Sequence, residues 1–408
     1  MLGRAETWAL VACQPLAQLS NQALLPSLGS MRADLDLSYI ELGWVVAAFG
    51  VARLVVDFPA GSVASRWNPR GVLLVAFAAS AVASALGVLA ANALQIGGVR
   101  LLIGGASSMA QAMILAWIVG GSGSAARGRV MARSEACFSV TGLVIPALGG
   151  LLAGTFGWRV AFVLGALAAA VGLLLVLAFT RPASAARAVG FEHEHQHGRA
   201  TKRKDAATPE PGWLELRRGG PLLLSAYLAT FVVFFSRNGL LNAGFPVLGA
   251  DRLGLQPFEI GLLFSVLNAV GIGAVLLGGR LGDRYGRYRV LGPGLGLLLA
   301  AQVLMLFIHD QLTYVLVGLL QGAAAFVNPI PTSLLGDVLP ARQRAHGIAF
   351  YRAVCDAALL SAPAVLGLTL ELGGFAAAEL VTASTTLCVL IVIMTFGNAK
   401  RQTIRSLV

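Results

Sequence analysis

Charged side chains are scarce in this sequence, because only 12% of its 408 residues are Asp, Glu, Lys or Arg. A soluble domain carries about 25% charged residues, so a water-soluble globular protein is excluded. Cysteine is also rare, and Cys13, Cys137, Cys355 and Cys388 show no paired spacing. We therefore expect no disulfide framework or cysteine-based metal site, and we interpret the four as small apolar residues of packed helices.

The sequence also lacks the motifs of membrane enzymes and ATP-driven pumps. It has no Asp-rich diphosphate motif, no metal-spaced set of His and Glu residues and no nucleotide-binding loop. We therefore predict a protein that is not an enzyme and uses no cofactor. The first apolar stretch, at about 8–28, is too long for a signal-peptide core and precedes no cleavage pattern, so we expect it to be a retained helix.

Apolar residues, at 57% of the chain, occur in continuous blocks of about 20 residues. A block of this length crosses a hydrocarbon core of about 30 Å as a helix, and continuous runs favour helices over strands. We predict an all-α membrane protein whose twelve helices form two pseudo-symmetric six-helix bundles. The predicted helices lie at about 8–29, 42–64, 71–91, 94–119, 130–154, 158–180, 220–248, 258–280, 289–309, 312–337, 346–370 and 374–397.

The net charge of +11 is explained by the position of the basic residues. If the N-terminus is inside, most Lys and Arg residues fall in inner connections, and only Arg32, Arg159 and Arg252 fall in outer ones. This asymmetry follows the positive-inside rule. We predict a multi-pass protein of a bacterial-type inner membrane, with both termini cytoplasmic, a lipid bilayer as its surroundings and no nucleic acid as partner.

A polar segment at 181–218 separates a predicted N-terminal bundle at 1–180 from a C-terminal bundle and short tail at 219–408. It is rich in Ala, Pro, Glu and Lys, which is typical of a mobile linker. Within it, His193, His195 and His197 would share one face of an extended chain. We predict a solvated linker and no metal site, with weak zinc or nickel binding as the open alternative.

The two halves of the sequence repeat each other with a shift of about 218 positions. Glu41-Leu42-Gly43 aligns with Glu259-Ile260-Gly261, and Gly61 through Arg66 align with Gly279 through Arg284. With one residue of slip, Pro146 aligns with Pro363 and Gly157 with Gly374. Duplicated halves around a site near the membrane midplane are typical of transporters that alternate access by rocking.

The connection between predicted helices eight and nine reads Gly-Arg-Leu-Gly-Asp-Arg-Tyr-Gly-Arg at 279–287. It resembles the G-x-L-x-D-R-x-G-R loop signature of the major facilitator superfamily. The copy in the first half has Ser65 in place of the Asp and Asn68 in place of the later Gly. The resemblance implies a role in conformational change for Gly61, Arg66, Gly279, Asp283, Arg284, Gly286 and Arg287. For Arg284 and Arg287, control of topology alone is the alternative.

Two further motifs resemble particular branches of that superfamily. Arg100-Leu-Leu-Ile-Gly104 in helix four is similar to the R-x-x-x-G signature of proton-coupled members. Pro146-Ala-Leu-Gly149-Gly150 in helix five resembles the end of an antiporter signature. The resemblance implies a proton-coupled drug or metabolite efflux antiporter, with a small molecule and protons as its partners. We expect a monomer.

Four charged residues lie deep in predicted helices two and eleven. Arg53 and Asp57 are four residues apart, as are Arg352 and Asp356, so each pair shares a helix face. Helices two and eleven pack together in the resembled fold, and their depths place Asp57 opposite Arg352 and Arg53 opposite Asp356. We predict a four-membered charge box that protonation would weaken. Static pairs within each helix, or contact with substrate, are the alternatives.

Arg100 in helix four and Arg237 in helix seven have no acidic neighbour on their own helices. Either they line the cavity and attract an anionic solute, or they bind backbone carbonyls. Polar and aromatic residues of the spans could line the same cavity, although the aromatic ones could equally be core. The candidates are Gln18, Asn21, Gln22, Phe49, Phe138, Phe234, Arg237, Asn238, Phe264 and Phe326.

These patterns favour a secondary active transporter that exports small amphipathic molecules in exchange for protons. The excess of deep Arg over deep Asp residues favours an alternative, a symporter or facilitator that takes up an organic anion. A transporter-like receptor or scaffold is a third possibility, and it would show no solute flux.

Overall fold

The computed structural model describes residues 3–121, 124–181, 220–339 and 344–405. Throughout these ranges the regular structure is helical. The predicted linker at 181–218 and its three histidines therefore lie almost entirely outside the described residues. The helices bear out the predicted all-α membrane fold, and we number them α1 to α12 in chain order.

The first predicted helix, α1, is divided into short pieces. Arg4–Leu16 is followed by Leu19–Leu24, a 3₁₀ turn at Leu25–Ser27 and Leu28–Asp34. Proline cannot donate a backbone hydrogen bond, and Pro15 and Pro26 lie next to two of the breaks. The remaining helices of the first half are continuous: α2 is Tyr39–Arg66, α3 is Pro69–Val88, α4 is Ala93–Gly121, α5 is Ser124–Phe156 and α6 is Val160–Phe179.

Two helices of the second half are also segmented. In α7, Gly220–Phe235 leads into a π-helical segment at Ser236–Gly244 and then Phe245–Leu253. In α10, Gln311–Ala324 is joined to Pro329–Val338 through the 3₁₀ turn Ala325–Val327. Between them, α8 is Pro257–Tyr285 and α9 is Arg287–Met305. The last helical stretch, Arg344–Arg405, is interrupted at Gly374, which separates α11 at 344–373 from α12 at 375–405.

Ten of the described helices are long and apolar enough to cross a membrane. This number agrees with twelve predicted spans for two reasons. The stretch Phe350–Thr395 contains most of both α11 and α12, and the pieces of α1 are individually shorter than 18 residues.

The chain forms two compact units. The first contains α1, α2 from Trp44 onward, α3 to α6 and residues Gln256–Ser265, which include the first turns of α8. The second contains residues Ser38–Gly43, which include the start of α2, together with α7, α8 from Val266 onward, and α9 to α12. A short piece of each sequence half therefore belongs to the unit formed by the other half.

In the first unit, α3 and α6 approach each other closely through glycines. A Cβ on Gly172 would lie 2.5 Å from the ring of Phe77, and a Cβ on Gly87 would lie 2.5 Å from the ring of Phe162. Both rings are buried. Small residues of this kind allow close helix packing where there is no hydrophobic drive between helices in lipid.

The connection before α6 is held to the end of α1. Asp34 accepts hydrogen bonds of 2.8 Å from Trp158 Nε1 and from Arg159 Nη1. These two donors lower the pKa of the Asp34 carboxyl below its ordinary value. The Arg159 guanidinium also lies 4.4 Å from the Trp158 ring centroid, so the three side chains form one connected contact.

In the second unit, α9 packs among α7, α10 and α12. Leu291 and Leu295 are buried with Leu223 of α7, Leu334 of α10 and Ile393 of α12. Tyr288 at the start of α9 donates a hydrogen bond to the carbonyl oxygen of Ile393 in α12. In the first unit, the repeat-related helices α3 and α6 run antiparallel, because Phe77 meets Gly172 whereas Gly87 meets Phe162. The repeat gives α9 and α12 the same antiparallel pairing.

The backbone agrees with the predicted repeat. Gly157 before α6 has φ 82°, and its predicted counterpart Gly374 before α12 has φ 68°. This region strongly favours glycine. Pro146 lies inside α5, and its counterpart Pro363 lies inside α11. The two halves thus share these irregular positions as well as their apolar runs.

Candidate functional site: charged helix faces and glycine crossings

Arg100 of α4 is buried, with 4% of its surface exposed. Its Nη2 donates a 3.0 Å hydrogen bond to Asn21 Oδ1 of α1, and its guanidinium carbon lies 5.5 Å from the Phe49 ring centroid of α2. Among the described atoms, Arg100 Nε has no hydrogen-bond partner. The structure therefore joins Arg100 to two of the predicted cavity residues and leaves part of its guanidinium unsatisfied.

Gly104 explains the spacing of the R-x-x-x-G motif. A Cβ at this position would lie 2.5 Å from the carbonyl oxygen of Phe49, so glycine allows the α2 backbone to rest against α4. Residues four apart share a helix face. Arg100 is therefore directed toward the same part of α2, where it reaches the Phe49 ring.

Arg53 and Asp57 of α2 are also hydrogen-bonded to this face of α4. Arg53 Nη2 donates to Gln111 Oε1 over 3.4 Å, and Ser108 Oγ donates to Asp57 Oδ1. The Arg53 guanidinium carbon lies 5.9 Å from the Phe49 ring centroid. Phe49 thus contacts two guanidinium groups, which cation–π attraction favours.

Ser108 and Gln111 were not predicted as site residues. Their signal is spacing, because they follow Arg100 by eight and eleven residues and so lie on one helix face. Ser107 lies beside them, and its Oγ is buried without a hydrogen-bond partner among the described atoms. Gln22 Oε1 of α1 is in the same condition.

We call this set of residues the α4 polar cluster. Its members are Asn21, Phe49, Arg53, Asp57, Arg100, Ser107, Ser108 and Gln111. Most buried polar groups in native proteins are hydrogen-bonded. The unsatisfied atoms of Arg100 and Ser107 therefore suit a site that receives a polar molecule.

Three other predicted cavity residues of the first unit lie outside this cluster. Gln18 is buried at the start of the second piece of α1. Phe138 of α5 is half-buried, and Phe264 of α8 is buried. A polar contact that was not predicted joins α1 to α5, where Ser134 Oγ donates to Gln14 Oε1.

In the second unit, Arg237 and Asn238 lie in the π-helical segment of α7. Asn238 Nδ2 donates to the carbonyl oxygen of Phe234 over 2.8 Å, and the Arg237 side chain is exposed. The Phe234 ring meets Tyr351 edge to face at 6.5 Å. Segments of π-helix occur frequently at functional sites.

Phe326, the last predicted cavity residue, is half-buried in the 3₁₀ turn of α10. Its carbonyl oxygen lies so close to Gly278 of α8 that a Cβ on this glycine would overlap it. The position of Phe326 is therefore set by helix packing.

The helix-five motif forms a close crossing in the first unit. A Cβ on Gly149 would lie 2.7 Å from the carbonyl oxygen of Ala23 in α1. A Cβ on Gly150 would overlap the carbonyl oxygen of Pro257, and a Cβ on Gly261 would overlap that of Pro146. The motif thus places α5 against both α1 and the first turns of α8.

The second unit contains the repeat image of this crossing. A Cβ on Gly43 would lie 2.6 Å from the carbonyl oxygen of Pro363 and 3.0 Å from the Cα of Gly367. These positions correspond to Gly261, Pro146 and Gly150 in the repeat. The start of α2 and α11 therefore pack as the start of α8 and α5 do.

Tyr39, at the start of α2, adds polar contacts in the second unit. Its backbone N–H donates to Glu371 Oε2, and its hydroxyl donates to Asp251 Oδ2, both over 2.9 Å. Its ring meets Phe375 edge to face at 6.1 Å. These side chains come from α7, from the end of α11 and from the start of α12.

The loop motif at 279–287 links α8, α9 and α10. Gly286 has φ 90°, which explains the glycine at this position. Arg287 Nη1 contacts Asp337 Oδ1 at 2.7 Å and donates to the carbonyl oxygen of Ser333. Arg287 Nη2 also lies 3.6 Å from Asp283 Oδ1. Arg287 therefore holds this turn to α10.

The other members of the loop motif contribute less contact. The Arg284 side chain is exposed beside the Tyr285 ring, at 5.4 Å. A Cβ on Gly279 would meet nothing within 4 Å. For Gly61 and Arg66 the structure describes only the backbone, which belongs to α2.

Asn68 shows why the first copy of the motif departs from the second. It has φ −64°, and its Oδ1 accepts a 3.1 Å hydrogen bond from the Arg70 backbone N–H as the N-cap of α3. At the same repeat position, Gly286 has positive φ. The first loop therefore uses a capping side chain, where the second uses a glycine turn.

On α11, the Arg352 side chain is exposed and Asp356 is half-buried. They lie in the second unit, whereas Arg53 and Asp57 lie in the first. The charge box that would join them stays a prediction. Among the described residues, no group of three His, Cys, Asp or Glu side chains could hold a metal ion.

The sequence profile of the Major Facilitator Superfamily matches residues 10–280 and 239–406, and so covers nearly the whole chain. The chain is 28% identical to an MFS-type efflux pump of Mycolicibacterium smegmatis over 382 residues, which are 86% of this chain and 81% of that protein. It is 22% identical to Multidrug resistance protein 2 of Bacillus subtilis over 270 residues, or 66% of this chain and 64% of the relative.

Solved structures share the fold at low identity. A bacterial homologue of the human lysosomal transporter Spinster superposes with a TM-score of 0.76 at 16% identity, covering 97% of this chain and 96% of that one. A D-xylose–proton symporter superposes with a TM-score of 0.72 at 15% identity, covering 95% and 96%. The family and fold are those of membrane transporters, and this multi-pass membrane protein belongs to the Major Facilitator Superfamily.

Proposed function

We propose that this protein is a proton-coupled exporter of small amphipathic molecules in a bacterial inner membrane. It works by alternating access, as a monomer with both termini in the cytoplasm. The α4 polar cluster carries the proposal, because it combines an aromatic ring with a buried guanidinium that has unused hydrogen-bonding capacity. An amphipathic molecule with an acceptor group suits such a surface.

The named relatives support export as the direction of transport. The relatives from M. smegmatis and B. subtilis are an efflux pump and a multidrug resistance protein, and a Staphylococcus aureus quinolone resistance protein is 27% identical over 146 residues. The match spans 64% of the B. subtilis relative's length. From the names of these relatives we propose that the substrates of this chain are drug-like molecules.

Asp57 and Asp356 are the proposed proton-sensitive members of the charge box. An ionised side chain inside a membrane span costs about 2.5–3.5 kcal/mol on insertion scales, so partners are needed. Asp57 Oδ1 accepts a hydrogen bond from Ser108, and an ionised carboxylate has further lone pairs that can accept from another donor. In this proposal, protonation of either carboxylate leaves an arginine under-compensated and releases one conformation.

Uptake of an organic anion is the second candidate function. It is favoured by Phe49, which contacts both Arg53 and Arg100. Two guanidiniums around one ring would attract a carboxylate-bearing aromatic solute.

A transport screen with an imposed pH gradient tests the proposal. Inverted membrane vesicles that contain the protein should accumulate dyes or antibiotics when their lumen is acidic, and a protonophore should abolish this accumulation. Vesicles with Arg100→Leu serve as the control for a defective cluster. Accumulation of organic anions only in right-side-out vesicles would favour uptake, and absence of flux for every solute in both orientations would contradict a transporter.

A further inference from the structure

Glu379 is a buried carboxylate that the sequence-based predictions do not include. It lies on α12, has 1% of its surface exposed, and neither of its oxygens has a hydrogen-bond partner among the described atoms. It is also the one charged residue between 375 and 399. Burying an ionised carboxylate without a partner is very costly, so its presence needs an explanation.

The sister half of the chain shows that the fold does not require an acid here. The alignment that pairs Gly157 with Gly374 pairs Phe162 with Glu379. Phe162 is buried and packs against Gly87 of α3. The same repeat position thus accepts an apolar ring in one unit and holds a carboxyl group in the other.

The antiparallel pairing of α9 and α12 places Gln302 at the level of Glu379. Tyr288 is bonded to Ile393 at one end of the pair, and Gln302 and Glu379 each lie fourteen residues from that contact. Fourteen residues are two heptads, and residues separated by whole heptads lie on the same contact face of two packed helices.

On both helices, buried residues recur every three or four positions, which is the spacing of a helix–helix contact face. On α9 these residues are Leu291, Leu295, Leu298, Gln302 and Met305. On α12, Glu379 is followed by the buried residues Thr382 and Thr386. Gln302 and Glu379 therefore lie at corresponding ends of these two contact faces.

Gln302 has one hydrogen-bonding group in use and one free. Its Nε2 donates a 2.8 Å hydrogen bond to Ser236 Oγ of α7, whereas its Oε1 is buried without a partner among the described atoms. An amide oxygen can only accept. A carboxylate can also only accept, but a protonated carboxyl group has one hydrogen to donate.

The charged surroundings of Glu379 are limited. Arg252 at the end of α7 is the charged side chain that acts on it electrostatically, and it also lies over the Phe375 ring at 5.0 Å. Asp251 and Glu371 each accept a hydrogen bond from Tyr39. On α9, no charged residue occurs between 290 and 305. Two other helices pack against α12. The remaining charged residue of α7 is Arg237, which is exposed, and α10 contributes Asp337, which is bound to Arg287.

We propose that Glu379 and Gln302 form a proton-binding site between α9 and α12. The carboxyl group of Glu379 is neutral in this conformation and is complementary to the free Oε1 of Gln302. Loss of the proton occurs when Glu379 gains access to water or to the Arg252 guanidinium. The site itself does not depend on the proposed function, although its use in coupling export to protons does.

Infrared spectroscopy of the purified full-length protein in lipid nanodiscs tests the site directly. At neutral pH the wild type should show a protonated-carboxyl stretching band that disappears in Glu379→Gln. Glu371→Gln is the matched control, because it removes an exposed carboxylate from the same region, and it should leave the band in place. A wild type without the band, or a band that survives in Glu379→Gln, would overturn the proposal.

Gln302→Leu provides a second variant that keeps the acid. Removal of the acceptor should shift the band to the higher frequency of a carboxyl group with a weaker hydrogen bond. An unchanged band position would refute the pairing, and this result stands even if Glu379→Gln does not fold. Because the spectra need no substrate, failure of the transport assay would count against the proposed function and not against the site.

Discussion

Gly43 and Gly367 cross so closely that a Cβ on Gly43 would lie 3.0 Å from the Cα of Gly367. Gly261 and Gly150 form the repeat image of this crossing in the other unit, where the corresponding distance is 3.2 Å. Each crossing pairs the beginning of one long helix with a proline-containing helix. The antiporter-like sequence Pro146-Ala-Leu-Gly149-Gly150 therefore has a packing role in this structure that is independent of any substrate.

Substitution of Gly150 should destabilise the protein. In Gly150→Ala the new Cβ would overlap a backbone carbonyl that cannot rotate away, and overpacking of this kind costs about 1–3 kcal/mol. Gly154→Ala is the matched control, because it lies one turn further along α5 and its Cβ would meet nothing within 4 Å. Thermal unfolding in detergent should show a lower midpoint for Gly150→Ala alone, and equal midpoints would contradict the crossing.

Replacement of Arg100 should impair transport more than replacement of its partner. Arg100→Lys keeps the charge, but a lysine cannot reproduce the planar fork that reaches Asn21 and lies by Phe49. A hydrogen bond to a charged group is worth about 1.5–3 kcal/mol, which corresponds to a loss of roughly tenfold or more.

Initial rates in vesicles, normalised to protein amount, provide the measurement. Asn21→Ala should reduce the rate less than Arg100→Lys, because the guanidinium keeps its contact with Phe49. If Arg100→Lys transported at the wild-type rate, only the charge at this position would matter.

Substitution of Arg287 should affect transport and stability more than substitution of Arg284 in the same loop motif. Arg287 holds Asp337 and the Ser333 carbonyl of α10, whereas Arg284 is exposed. Arg287→Ala should therefore reduce both transport and thermal stability, the latter by about 1–3 kcal/mol. Arg284→Ala is the control of equal charge change, and its unfolding midpoint should stay near that of the wild type. Equal losses in the two variants would mean that charge alone acts here.

Asp34 should contribute stability that depends on pH. The hydrogen bond from Trp158 Nε1, followed by that from Arg159, lowers its pKa in the folded state. Its contribution is therefore present above the ordinary value of about 3.9 and is lost as the pH falls through the lower, folded-state value. Below about pH 4, the difference in unfolding midpoint between the wild type and Asp34→Asn should narrow.

Asp36→Asn is the control for this titration, since it removes an exposed carboxylate for which the described residues show no side-chain hydrogen bond. A difference for Asp34→Asn that stayed constant down to about pH 3 would contradict the assignment.

The charge box predicts energetic coupling between α2 and α11. Asp57→Asn and Asp356→Asn should each reduce proton-driven transport. Each loss of transport rate can be expressed as a change in activation free energy. If the two residues belong to one network, the change in the double variant should differ from the sum of the two single changes by about 0.5–3 kcal/mol. Additive effects on transport would rule the box out and leave Asp57 as the acceptor of Ser108 alone.

The helices and the repeat could be predicted from the sequence because lipid leaves few choices. A run of about 20 apolar residues must satisfy its own backbone and becomes a helix. The repeat aligned Gly157 with Gly374 and Pro146 with Pro363, but their backbone geometry was not predicted. The structure shows positive φ at both glycines and a proline inside the helix at both proline positions. The segmentation of α1 was not predicted, although Pro15 and Pro26 signal it.

The polar contacts were harder to anticipate. A helix face can be derived from spacing, so Ser107, Ser108 and Gln111 could have been grouped with Arg100. Glu379 could not be matched to Gln302 in advance, because their shared level depends on the offset between α9 and α12 along their axes. Contacts between the helices, such as the hydrogen bond from Tyr288 to the Ile393 carbonyl, set this offset, and one sequence does not specify them.

The π-helical segment Ser236–Gly244 holds more residues per turn than an α-helix does, because its backbone hydrogen bonds span five residues instead of four. The part of α7 beyond Gly244 is therefore rotated about the helix axis relative to the part before Ser236, compared with an uninterrupted α-helix. Arg237 and Asn238 lie in this wider turn. The segment thus sets the direction in which the two ends of α7 face, while the helix stays continuous and hydrogen-bonded.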